Sequence, residues 1–196
     1  MSENQPKIMK IALFGTSADP PTAGHQAILE GLSQRYDLVA VWASDNPFKQ
    51  HYTSLTERQK MLGLLIGEMN NIKNILLRTE LSDRRSLISL GRAREIWGQE
   101  PEYTIVIGSD LVEQIQSWYK IKDLVQQVKI LIVPRLGYEI KTQSLENLSN
   151  LGGKYAIAQF HVPDISSSNY RQQGDQSMLT EAVANYIHQQ RLYKQL

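Results

Sequence analysis

Short apolar runs alternate along the chain with stretches whose apolar residues recur every three or four positions. The runs at 10–14, 37–43, 75–78, 103–107, 128–133 and 155–160 read as strands. Between the first two, residues 24–35 carry Ala27, Ile28 and Leu32 on one side and Gln26, Glu30 and Gln34 on the other, which predicts a helix. Ser54-Leu55-Thr56-Glu57 is a capping box, and it opens a helix with Leu55, Met61, Leu62, Leu65 and Ile66 facing inward. A further helix over 86–97 turns Leu87, Leu90 and Ile96 toward the core. Gly108-Ser109-Asp110 caps the next helix, and a short one follows at 121–127. Residues 135–153 are polar and read as a loop with a short helix at most. The stretch 165–171 leads into a short helix, and 178–192 is a final amphipathic one.

Strands that alternate with helices and are themselves continuous apolar runs belong in a parallel sheet covered on both faces. The expectation is an α/β, Rossmann-like three-layer fold with a mostly parallel six-stranded sheet. A polar tail would occupy 1–8 and one domain 9–196. In such folds ligands gather beyond the carboxyl ends of the strands, at the switch point of the sheet. The loop after the first strand, the 44–51 loop, Gly108–Asp110 and the 163–168 turn all follow strands, so they are expected to face one crevice.

The chemistry concentrates in two of those loops. The first strand runs into Gly15-Thr16-Ser17-Ala18-Asp19-Pro20-Pro21-Thr22-Ala23-Gly24-His25. A strand, a loop of small residues and a helix N-terminus direct free N–H groups and the positive end of the helix dipole at one point, which suits an anion. Gly15 and Gly24 would let the backbone approach a phosphate closely. Thr22 and His25, three residues apart, share one side of the first turn. Neither Gly-Lys-Ser/Thr nor Gly-x-Gly-x-x-Gly is present, so this is neither of the common nucleotide loops. The second stretch, Ile165-Ser166-Ser167-Ser168-Asn169-Tyr170-Arg171, sets serine hydroxyls and N–H groups at a helix start with a guanidinium above them. Singly, either could be a capped helix with an incidental histidine or arginine. Together in one α/β chain they describe a pocket for a polyphosphate.

Composition narrows the classes. Of 196 residues, 41% are apolar and 21% charged, which describes a folded globular chain. The net charge of +1 offers no basic excess for nucleic acid or an anionic membrane. The absence of cysteine excludes disulfides, thiolate catalysis and cysteine-bound zinc. The first ten residues lack the apolar core of a signal peptide, and the longest apolar stretches, such as 61–66, are too short to span a bilayer. A cytoplasmic protein without a membrane partner is the expectation. His51, His161 and His188 sit in no motif, although His51 lies in the loop on the expected substrate side.

The two stretches resemble the paired signatures of the nucleotidyltransferases that transfer an AMP or CMP unit. In that superfamily a strand is followed by Gly, small residues, Asp or Asn, Pro and then His-or-Thr-x-Gly-His, and Ile-Ser-Ser-Thr/Ser-x-Ile-Arg lies near the C-terminus. Within it, the chain is similar to the nicotinate-nucleotide (or nicotinamide-nucleotide) adenylyltransferases. Asn46-Pro47-Phe48-Lys49 resembles their Pro-x-His-Lys loop, Arg58 with Met61-Leu62 their Arg-x-x-Met-Leu helix, and Gly108-Ser109-Asp110 followed by Trp118 their Gly-Ala/Ser-Asp…Trp segment. The resemblance covers about residues 9–190. It implies attack of a pyridine mononucleotide 5′-phosphate on the α-phosphorus of ATP, with release of pyrophosphate. His25, Thr22, Lys49 and Arg171 would be the catalytic group, with His25 donating to an α-phosphate oxygen. Gly15, Thr16, Ser17, Gly24, Gly108, Asp110, Ser167 and Ser168 would hold ATP, Asp110 through a ribose hydroxyl. Phe48, Trp118 and Arg85 would face the mononucleotide, Trp118 by stacking on its ring, although a core aromatic would look the same. Mg²⁺ would arrive with ATP and have no protein ligand, and Asp19 would order the loop. The partners would be ATP and a pyridine mononucleotide, with homo-oligomerisation open.

The chain departs from the pattern at particular positions. Ala18 stands where Phe is usual, Thr22 where the bacterial nicotinate branch has His, Phe48 where His precedes Lys, and Tyr170 where Ile is usual. Arg84-Arg85-Ser86-Leu87 occupies the place of a Thr-x-x-Thr segment. These departures bear on the acceptor. They leave open adenylyl transfer to phosphopantetheine or FMN, and a nucleotide-binding module without turnover.

Overall fold

A computed structural model describes residues 7–47 and 49–193. Six strands, β1 (Lys10–Thr16), β2 (Leu38–Ala43), β3 (Ile75–Leu77), β4 (Glu102–Gly108), β5 (Lys129–Val133) and β6 (Lys154–Ile157), form one sheet in the order β3-β2-β1-β4-β5-β6. Every pairing is parallel, so the sheet is wholly rather than mostly parallel. The chain winds outward from β1 to β3, then returns to lay β4 on the other side of β1. The switch point therefore falls between β1 and β4, and the crevice opens beyond their carboxyl ends.

Alternate residues of each strand enter opposite cores. Ile11, Leu13, Ala40, Trp42, Ile105, Ile107, Ile130 and Ile132 pack beneath α3 (Ser86–Trp97), α4 (Ile121–Val125) and α5 (Thr142–Asn150), which contribute Leu90, Leu124 and Leu148. Ala12, Phe14, Val39, Val41, Val106, Leu131 and Val133 face α1 (Ala23–Ser33), α2 (Leu55–Glu68) and α7 (Glu181–Gln190). From these helices come Leu29 and Leu32, Met61, Leu62 and Leu65, and Val183 and Ile187. Each fully buried leucine contributes about 1.5–3 kcal/mol. The strongest local signals hold: Ser54 caps α2 by accepting from Glu57 N at 3.1 Å, and α3 spans the expected residues. No helix among the described residues is long and apolar enough to cross a membrane.

Several expectations fail at the edges. β6 ends at Ile157, and all four of its residues are exposed, because it lies at the edge of the sheet. Phe160, expected in that strand, instead sits against Gly31 of α1, where a Cβ would lie 2.4 Å from its ring. No α-helix follows Gly108; 3₁₀ turns at Ser109–Leu111 and Gln114–Ser117 take its place. Ile96 is exposed. The last helix begins only at Glu181, since Leu179 and the N-cap Thr180 are extended, and a separate 3₁₀ turn covers Gln176–Met178.

Candidate active site

The four predicted loops do meet in one crevice. A cleft of about 880 Å³ lies over the carboxyl ends of β1, β4 and β5. His25, Lys49, Asp110 and Arg171 all line it. So do Gly15, Thr16, Ser17, Gly24, Gly108, Ser167, Ser168, Trp118 and Arg85. Phe48 lies outside the described residues.

α1 begins at the cleft with Thr22 as its N-cap in an extended conformation. The Thr22 N–H donates to Nδ1 of His25 at 3.1 Å. That nitrogen is therefore the acceptor, and the ring proton of the neutral imidazole sits on Nε2. The Thr22 hydroxyl lies 3.0 Å from the same nitrogen and 3.5 Å from Ile165 O, and it is the donor toward either. Thr22, expected in the catalytic group, is wholly buried and is absent from the cleft lining. It positions His25 instead. Burial lowers the His25 pKa to about 3, with the charges of Arg135 and Lys49 acting in the same direction and Asp110 opposing them. His25 is thus a neutral N–H donor at physiological pH.

The two glycines also have a packing reason that lies outside their own segment. A Cβ on Gly24 would stand 2.3 Å from the carbonyl oxygen of Ile165, and one on Gly15 would stand 2.9 Å from the ring of Trp42. Their missing side chains make room for protein, and both glycines also line the cleft. Gly24 in particular lets α1 close against the second signature. The stitching continues at Ser167, whose hydroxyl donates to Pro20 O at 2.7 Å and accepts from Asp19 N at 3.3 Å. That hydroxyl, expected on phosphate, joins the second signature to the first loop and also lines the cleft. α6 (Ser167–Gln173) is capped by Ser166, which accepts from Asn169 N at 3.1 Å. Arg171 donates to Asp19 O at 2.5 Å and to Ser168 Oγ at 3.3 Å, and its guanidinium lies 4.5 Å from the centre of the Tyr52 ring.

Asp19 orders the loop, as its place in the motif suggested. Its carboxylate is buried and accepts from Tyr52 N at 2.5 Å, Thr53 N at 3.2 Å and Thr53 Oγ1 at 2.7 Å. The peptide bond to Pro20 is cis. Arg58 is a buried cation behind the same loop, and it holds the start of the 44–51 segment by donating to Ser44 O at 2.6 Å.

Opposite His25, Asp110 Oδ2 accepts from Lys49 at 3.0 Å and from Arg135 at 3.2 Å. Its Oδ1 is buried without a hydrogen bond, on the side where a Cβ on Gly108 would lie 2.3 Å from it. Burial pushes the Asp110 carboxyl up, but the two cations outweigh it and the pKa falls below its ordinary value. Lys49 and Asp110 were expected to face substrate separately, and they are paired here. Arg135 was missed. Its signal was positional, since it follows Pro134 directly after β5 and so sits at a carboxyl strand end. Trp118 is partly buried, resting on the core while lining the cleft. Arg85, at the start of α3, pairs with Asp83 at 3.3 Å and lies 5.4 Å from the centre of the exposed Tyr119 ring. Tyr52, Asp83 and Tyr119 also line the cleft without having been singled out.

The cytidylyltransferase-like family model matches residues 13–173, from β1 through the end of α6. A protein of Synechocystis sp. named as a probable nicotinate-nucleotide adenylyltransferase is 49% identical, over 95% of this chain and all of its own length. The chain belongs to the nicotinate-nucleotide adenylyltransferase family. A similarly named protein of Bacillus cytotoxicus is 29% identical over 94% of this chain and 98% of its own. Among solved structures, Plasmodium falciparum nicotinic acid mononucleotide adenylyltransferase complexed with NaAD has the same fold, with a TM-score of 0.78 at 22% identity. That match covers 94% of this chain and 97% of the other. The same protein complexed with APC gives a TM-score of 0.75.

Within this family the departures from the usual pattern have local reasons. Ala18 is buried beside Asp19, which is buried too. Tyr170 is buried too, and its ring meets that of Tyr193 edge-on with centroids 6.0 Å apart. Arg84 pairs with Asp45 of the 44–51 loop at 2.8 Å. Among the described residues no group of three His, Asp or Glu side chains is placed to hold a metal ion. Asp110, a carboxylate that lines the cleft, is shared by two cations.

Proposed function

We propose that this protein transfers AMP from ATP to the 5′-phosphate of nicotinate mononucleotide, in the formation of a dinucleotide for NAD biosynthesis. The observation that carries this reading is the shared cleft. His25 from the first signature and Arg171 from the second line one cavity, and Trp118 and Arg85 line it with them.

A phosphate oxygen of the mononucleotide attacks the α-phosphorus, the bond from that phosphorus to the bridging oxygen of the β-phosphate breaks, and pyrophosphate leaves. The nucleophile is already an anion, so the site has to position and to stabilise charge. His25 donates Nε2–H to a non-bridging α-phosphate oxygen. Arg171 draws on the β- and γ-phosphates and on departing pyrophosphate. Lys49 and Arg135 are held beside His25 by Asp110, and they supply positive charge where two anions must meet. Asp110 accepts a ribose hydroxyl once a cation moves from its carboxylate to phosphate. Trp118 stacks on the pyridine ring, and Arg85 faces the nicotinate carboxylate. Mg²⁺ enters as part of MgATP, its ligands phosphate oxygens and water. The reaction would run in the cytoplasm, where its substrates are.

Pyrophosphate release from MgATP, measured with nicotinate mononucleotide, nicotinamide mononucleotide, phosphopantetheine and FMN in turn, tests the proposal. The acid mononucleotide is expected to be used fastest. Release only with phosphopantetheine or FMN, or ATP binding without release under any acceptor, would refute it.

A further inference from the structure

The mechanism leaves Tyr193 unused, yet its hydroxyl ends inside the loop that the mechanism depends on. After α7, Arg191 and Tyr193 both take left-handed backbone conformations, with φ of 55° and 59°. The turn brings the Tyr193 hydroxyl onto Asp19 Oδ1, which also accepts from Thr53 Oγ1. The main chain of Asp19 is joined to the second signature at both ends, its N–H to Ser167 Oγ and its carbonyl to Arg171. Tyr193 also packs edge-on against Tyr170, the residue before Arg171. One residue far along the chain thus touches the first signature through its hydroxyl and the second through its ring.

We propose that Tyr193 is a positioning residue for the polyphosphate side of the site, acting through Asp19 on the guanidinium of Arg171. This rests on the function proposed above. The Asp19 carboxylate receives donors from the 52–53 backbone, the Thr53 side chain and the C-terminal turn. Those donors fix the peptide whose carbonyl anchors Arg171. Removing the tyrosine hydroxyl leaves a buried carboxylate oxygen short of one donor, and the loop shifts to recover it. The shift moves the carbonyl of Asp19, and Arg171 with it. Trp118 and Arg85 take part in none of these bonds: Trp118 packs on the core of the opposite sheet face from Tyr170, and Arg85 pairs with Asp83.

The test is the affinity of the full chain for MgATP, pyrophosphate and nicotinate mononucleotide, each titrated alone by calorimetry. Tyr193→Phe is expected to weaken MgATP and pyrophosphate roughly tenfold while leaving nicotinate mononucleotide within about twofold. In an Arg171→Ala background the same change is expected to add less than about twofold, because residues acting as one unit are not additive. Tyr186→Phe is the control. Its hydroxyl anchors the same helix by donating to Glu57 Oε2 at 2.7 Å, away from the cleft, and its loss should leave all three affinities unchanged. If Tyr193→Phe melts below the assay temperature, Thr53→Val removes the other side-chain donor to the same oxygen and is read in the same way. Unchanged MgATP affinity, equal weakening of MgATP and mononucleotide, or effects that multiply in the Arg171→Ala background would overturn the proposal. Absence of turnover with every acceptor in the unsubstituted chain would refute the proposed function and still leave the MgATP affinities to decide this one.

Discussion

Lowering the pH should destabilise this protein through His25 by a calculable amount. The His25 pKa is about 3 in the folded chain, against 6.5 for an ordinary histidine. Between those values the unfolded chain binds the proton and the folded chain does not. The stabilising difference is therefore fully present above 6.5 and is lost as pH falls toward 3. At about 1.36 kcal/mol per pH unit, the 1.5 units between 6.5 and pH 5 amount to about 2 kcal/mol. In a chain of this size that corresponds to a fall in Tm of about 4–8 °C. The assay is urea unfolding at pH 7.5 and pH 5.0 for the native chain and for His25→Gln, which cannot titrate. The native chain should lose about 2 kcal/mol more than the variant over that interval. His51, whose pKa burial also lowers, acts in the same direction in both proteins and cancels. Equal losses in the two proteins would refute the burial and cationic field assigned to His25.

Two substitutions in the first signature separate chemistry from packing. His25→Ala should lower kcat by about 10²–10³, as loss of a transition-state donor does. Thr22→Val keeps the backbone N–H that fixes the imidazole, so it should cost no more than about tenfold; steady-state rates of pyrophosphate release compare the two. Gly24→Ala drives a Cβ toward the Ile165 carbonyl, and overpacking of this kind should destabilise by about 1–3 kcal/mol and reduce turnover by separating the signatures. A Tm and rate equal to those of the native chain would show that the two segments are not held at that distance.

What could be read along the chain was what is local. The strand cores, the Ser54 cap and the pairing of Thr22 with His25 depend on residues a few positions apart, and periodicity or spacing reports them. β6 was misjudged because Tyr155 and Ile157 look like core residues, while the sheet edge leaves them exposed. The contact that Gly24 makes with the second signature was hidden for a related reason. A glycine at a helix start beside a phosphate loop and a glycine abutting a distant carbonyl look alike until the chain is folded. Arg135 had only its place after β5 to mark it, since its partner Asp110 follows the neighbouring strand, and Tyr193 had no local signal, since its partner lies at the other end of the chain. The site was thus legible as two segments, and the bonds joining them were not.

Those joining bonds also decide what His25 can do. Nδ1 receives the Thr22 N–H, and the remaining ring nitrogen carries a proton. The neutral imidazole therefore has no free lone pair with which to accept a proton from substrate. Protonating Nδ1 would break the bond to Thr22, leave a buried N–H without an acceptor and add a cation beside Arg135 and Lys49. Each of these effects opposes the charged form, and burial opposes it further. The residue is built to donate and not to abstract, which fits a reaction whose nucleophile arrives already ionised. When phosphates enter, their negative charge offsets the two cations and raises the pKa of the imidazole. Its Nε2–H remains a donor in either protonation state. Burial, helped by the two cations, thus keeps the histidine neutral, and the proposed reaction requires no proton transfer from this group.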